Sequence, residues 1–142
     1  MAGVVHVDEM FTVGEAFFAS PSPSGEWGVV FEDDGDTGYL YATKWNHAGA
    51  GGPAEPMDAL HIYNAANVTD RAKPSRLQLL WTETGSAAAL LLNGYLHAIF
   101  DLGHARCFCR NNFPPPHGKS PFRRDEVWDP QLLEQFRPRK SS

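Results

Sequence analysis

The sequence predicts a mainly β protein, an antiparallel sheet or sandwich of about seven to nine strands closed by one short C-terminal helix. Three observations carry that expectation. Residues 27–43 read as a β-hairpin, with aromatic and β-branched runs on either side of a polar turn that contains Asp34-Gly35. Residues 76–102 read as a three-stranded meander, turning at Thr84-Gly85 and again at Asn93-Gly94. Asp129-Pro130 then reads as a helix N-cap followed by proline at the first helical position, with Gln131–Phe136 as the helix body.

In chain order, residues 3–7 are a short strand and residues 11–19 a better one, rich in strand formers but interrupted by Gly14. Ser20–Gly25 is a loop, because its two prolines cannot donate to a ladder. In the hairpin, Trp27, Val29 and Phe31 share one face of the first strand, and Tyr39 and Tyr41 share one face of the second. Asn46–Pro56 is glycine-, alanine- and proline-rich and reads as a flexible insertion between strands. Asp58–Asn64 is the next strand, and Asn64–Ser75 a loop. Arg76–Glu83 places Leu77, Leu79 and Trp81 on one face. Ser86–Leu92 contains Ala87-Ala88-Ala89, a helical tripeptide by propensity, but the segment between its two turns is too short for a stable helix. On Tyr95–Leu102, strict alternation puts Leu96, Ala98, Phe100 and Leu102 on one side and Tyr95, His97, Ile99 and Asp101 on the other. Ala105–Arg110 is one more strand, Asn111–Pro121 is irregular, and the basic tail 137–142 frays.

The 142 residues fit one domain, with 42% hydrophobic and 12% aromatic content to build its core. A net charge of −5 argues against nucleic acid as a partner and suits a basic protein. No apolar run is long enough to span a bilayer, and the N-terminus lacks the pattern of a signal peptide. Cys107 and Cys109 are adjacent on one strand face, where extended backbone holds their Cα atoms about 6.5–7 Å apart, near the limit for a disulfide. That favours reduced thiols and a cytoplasmic location.

Four carboxylates, Glu32, Asp33, Asp34 and Asp36, crowd the hairpin tip beside Tyr39. They can meet a basic partner surface. The spacing lacks the twelve-residue register of a calcium loop, and the plain structural reading is a solvated turn. His61, His97 and Asp101 form a second group, since a His–carboxylate pair across a sheet can orient a general base. No nucleophile motif accompanies them, and half-buried strand histidines are the plain reading. His104, Cys107, Cys109 and His117 have the side-chain types of a zinc site, but Cys-x-Cys is a poor knuckle spacing, and no metal is assigned to them. No phosphate-binding glycine loop is present, so no cofactor is expected.

Several blocks together resemble a small bacterial family of unknown function. They are Phe31–Tyr39, Asp58–Asn64, Trp81, Asn93-Gly94-Tyr95, His97-Ala98, Phe100-Asp101 and Asn112-Phe113-Pro114. The resemblance implies a bacterial, cytoplasmic, β-rich protein and assigns no activity. The functional expectation is a non-enzymatic protein-binding module, in its most specific version an immunity-type protein that neutralises a toxin. The alternative is a metal-dependent enzyme or small-ligand-binding protein. A homo-oligomer formed through an open sheet edge is a third reading.

Overall fold

The computed structural model describes residues 4–23, 25–46, 52–69, 72–110, 123–124 and 130–136. Among the described residues, nine antiparallel strands form two sheets. One sheet contains β1 (Val4–Phe11), β6 (Ser75–Trp81), β7 (Ala87–Leu92), β8 (Tyr95–Asp101) and β9 (Arg106–Cys109), in that spatial order. The two-residue β10 (Arg123–Arg124) adds a parallel strand beside β9. The other sheet is β2 (Ala16–Pro21), β3 (Trp27–Asp33), β4 (Thr37–Asn46) and β5 (Gly52–Asn64), paired in chain order. A helix, α1 (Pro130–Phe136), follows.

The predicted turns form as their residues require. Asn93 and Gly94 take φ of 52° and 83°, the positive pair that a two-residue hairpin between right-twisted strands needs. Between β3 and β4, Gly35 takes φ of 103°. Residues 11–19 divide: β1 ends at Phe11, Gly14 takes φ of 125°, and β2 begins at Ala16 in the other sheet. Gly14 is therefore a crossing between layers rather than a blemish within one strand.

The second half of the glycine-, alanine- and proline-rich stretch is strand, because β5 starts at Gly52; residues 47–51 lie outside the described residues. Its prolines are tolerated because β5 is an end strand with an irregular register, where Trp45 pairs Pro53 and Thr43 pairs Pro56. The segment 111–121 and the tail 137–142 also lie outside the described residues.

The core has two layers. Between the sheets, Val29, Phe31, Leu40 and Leu60 meet Leu77, Leu79, Trp81, Leu90 and Phe100. On the far side of the larger sheet, Leu80, Ala89, Leu91, Ile99 and Phe108 lie under Leu132 and Phe136 of α1. Each buried Leu or Phe contributes roughly 1.5–3 kcal/mol relative to exposure. This arrangement explains β7, whose six residues are all buried: with a cover on both faces it needs no polar alternation. Strict alternation fails on β8. The register shifts between Leu90 and Leu91, which pair Ala98 and Leu96, so His97 is an extra residue and Leu96 joins Ile99 on the helix-covered side. Among the described residues no helix is long and apolar enough to cross a membrane.

Candidate functional site

The β3–β4 tip is built around Asp33. Period-two alternation continues the inward series Val29, Phe31 to Asp33, which is 3% exposed. Its carboxylate accepts three hydrogen bonds: from Gly14 N at 2.7 Å, Gly35 N at 2.9 Å and Tyr63 Oη at 2.6 Å. One side chain thus joins the β1–β2 turn, the hairpin tip and the end of β5. Asp33 pairs with Gly38, and the Tyr63 ring lies over that glycine; a Cβ there would sit 2.6 Å from Tyr63 Cζ. Burial, and then the bond to Asp33, push the Tyr63 pKa well above that of an ordinary phenol. Of the four tip carboxylates, Asp33 is consumed by the fold.

Asp34 closes the turn. Its Oδ1 accepts from Asp36 N at 3.0 Å and Thr37 N at 2.9 Å, and these backbone bonds hold its carboxyl below the usual range. Asp34, Asp36 and the neighbouring Glu15 are exposed.

A row of side chains crosses the outer face of the smaller sheet. Phe17 pairs Glu32, Glu32 pairs Tyr39, and Tyr39 pairs His61, one residue from each strand. Tyr39 stacks on Tyr41 with centroids 5.8 Å apart and lies 5.7 Å from the His61 ring. His61 Nε2 is 2.9 Å from Asn64 Oδ1. Phe17 is 59% exposed, high for a phenylalanine whose sheet neighbours are ordered. A shallow groove of about 460 Å³ runs from Gly14–Phe17 to Glu32–Asp34.

Tyr41 donates to Glu32 Oε1 at 3.2 Å. Burial first, then the charge and hydrogen bond of Glu32, push its pKa up to about 12. In an alkaline absorbance titration of the phenolates, Tyr41 is expected to ionise near that value, and Glu32→Gln to bring it down while the burial contribution persists. An unchanged titration in Glu32→Gln contradicts the pairing.

The second predicted group is not assembled as one site. His61 belongs to the smaller sheet, His97 and Asp101 to the larger one. Burial, and then Arg110, lower the His97 pKa. Asp101 accepts from Arg106 Nε at 2.8 Å, and its oxygens lie 3.0 and 3.2 Å from His104 Nδ1. The His–carboxylate pair that forms is therefore Asp101 with His104. The signal was local: Asp101 caps a 3-10 turn and accepts from His104 N, the residue three positions on. Cys107 and Cys109 are buried in the layer between the sheets, and Cys109 Sγ lies 3.5 Å from the His61 carbonyl oxygen. His117 lies outside the described residues, and among the described residues no three His, Cys, Asp or Glu side chains are grouped to hold a metal ion.

The geometry defines a class: a two-layer antiparallel β protein with an acidic, aromatic outer face and a braced hairpin tip. The chain belongs to a family described as "Uncharacterized protein conserved in bacteria (DUF2251)", whose model matches residues 11–137. It is similar to an uncharacterized protein of Haemophilus influenzae, 34% identical over 125 residues, a match that covers 82% of this chain and 74% of that one. No solved structure matches the chain significantly.

Proposed function

We propose that this protein is a non-enzymatic binding module that recognises a basic protein partner through the outer face of its smaller sheet, next to the hairpin tip. The observation that carries the reading is the row Phe17–Glu32–Tyr39 beside exposed Glu15, Asp34 and Asp36. Exposed aromatic area with carboxylates at its border supplies an apolar contact and electrostatic steering toward a cationic surface. The Asp33 bonds brace the tip, so little conformational freedom is lost when it docks. The buried pair Cys107 and Cys109, on one short strand, suits a reducing cytoplasm. In its toxin-neutralising version, this face covers a basic active site.

The test is affinity capture from native lysate. It compares the natural chain with a variant carrying Glu15→Gln, Glu32→Gln, Asp34→Asn and Asp36→Asn, and with Phe17→Ser. A specific partner is expected to lose at least about tenfold in affinity to both folded variants. Partners retained with unchanged affinity by both refute the proposed face. Protection of growth against a captured toxin, lost in the same variants, tests the immunity version.

A further inference from the structure

We infer that the partner is engaged by strand addition: the outer edge of β2 takes an extended peptide segment bearing arginine or lysine, whose basic side chains reach across β2 to the groove beside the hairpin tip. The inference rests on the binding reading above and gives that face its mode of recognition.

β2 is an end strand. One of its edges pairs β3, and among the described residues Ala16–Pro21 make no backbone hydrogen bond on the other. A strand projects alternate N–H and C=O groups from each edge, so this edge is a template for another strand. The other long end strands carry the features that discourage such pairing. In β1 the register shifts between Val5 and Val7, and exposed Asp8 and Glu9 follow. β5 contains Pro53 and Pro56, its register is irregular, and its His61 carbonyl lies against Cys109 Sγ. β2 has none of these before its last residue. Its register with β3 is continuous from Ala16 to Pro21, it carries no charge, and its single proline ends it.

The surroundings select the peptide's chemistry. Glu15, Glu32 and Asp34 border the groove, and Phe17 stands exposed on the strand itself. An added strand places its side chains level with those of β2. Glu32 pairs Phe17 on the next strand, so its backbone is on the order of 10 Å, two strand spacings, from the incoming chain. An arginine opposite Phe17 spans that gap. Its stem and guanidinium lie on the ring, and the charge reaches Glu32. A lysine supplies the charge without the planar stacking. Main-chain bonds give affinity in this mode, and the alternate outward side chains give selectivity.

The test uses the full chain and a fluorescent probe of about nine residues alternating valine and arginine. Two further probes carry N-methyl groups on alternate residues, one in each frame. Strand addition predicts that one frame weakens binding at least about tenfold while the other stays within about twofold, because only one set of peptide N–H groups faces β2. It also predicts increased amide protection at Ala16–Ser20 on binding, weaker binding by Glu32→Gln, and none of a valine–glutamate probe. Equal effects of the two frames, or no binding of the valine–arginine probe, overturn strand addition. The proposed face then still stands or falls on partner capture with the charge-neutralised variant, so the two failures are distinct.

Discussion

Replacing Asp33 by alanine is expected to lower the unfolding free energy by about 3–5 kcal/mol, because it removes a buried carboxylate that holds three part-buried donors. Gly14 N, Gly35 N and Tyr63 Oη all donate to this carboxylate at 2.7, 2.9 and 2.6 Å. Hydrogen bonds to a buried charge are worth more than neutral ones, and a donor left without an acceptor retains its full desolvation cost. Asp33→Asn keeps the volume but turns an amide N–H₂ toward donors, so it recovers only part of the loss. Tyr63→Phe removes one donor and leaves the Asp33 carboxylate its two backbone N–H partners, so it is expected to cost only about 1 kcal/mol. Urea denaturation monitored by circular dichroism gives the three values. A loss below about 1 kcal/mol for Asp33→Ala would show that water replaces the carboxylate, contrary to its burial. Alkaline pH provides a second check with a definite sign. The folded Tyr63 pKa is raised above the phenol value of 10.0. Its contribution is therefore fully present below pH 10 and declines above it, as the unfolded chain ionises first.

How legible the molecule was depended on how local the determining physics is. Asn93-Gly94 and Asp34-Gly35 specify their turns within a few residues, and both hairpins were readable. Asp33 was readable too, since the alternation that put Val29 and Phe31 inward continues to it; grouping it with Asp34 and Asp36 by charge concealed this. The division of residues 11–19 was half visible. Gly14 marked an interruption, but nothing local says that the chain changes sheets there. β7 lost its polar alternation because α1 covers its second face, a contact with residues far along the chain. The His97 bulge moved Leu96 to the opposite side, and a period-two reading has no means of detecting an inserted residue. The outer row is the least legible feature. Glu32 and Tyr39 were grouped at the hairpin tip and His61 with His97 and Asp101, but the alignment of Glu32, Tyr39 and His61 with Phe17 exists only once four strands are in register.

The same distinction between local and distant contacts makes Trp81 the side chain whose removal should be felt most widely. It is fully buried on the inner face of β6, level with Leu77 and Leu79. Its Nε1 donates to Ser20 Oγ at 3.0 Å, a buried hydrogen bond from one sheet to the other. Trp81→Ala is expected to cost about 3–5 kcal/mol, from lost transfer energy and the cavity that remains. Trp81→Phe retains most of the apolar contact and leaves the Ser20 hydroxyl without its donor, so about 1–2 kcal/mol is expected. A double-mutant cycle with Ser20→Ala isolates the inter-sheet bond, and its coupling energy is expected near 1 kcal/mol. Measured additivity would mean that the two groups do not interact. Because Ser20 belongs to β2, the strand whose outer edge is inferred to receive a peptide, the cycle also bears on recognition. With Trp81→Phe, amide exchange in β2 should rise before exchange in β7, which is buried on both faces. An edge loosened in this way is a poorer template, since an incoming strand must then also order the strand it joins. Trp81→Phe is accordingly expected to weaken the valine–arginine probe without touching any residue of the groove.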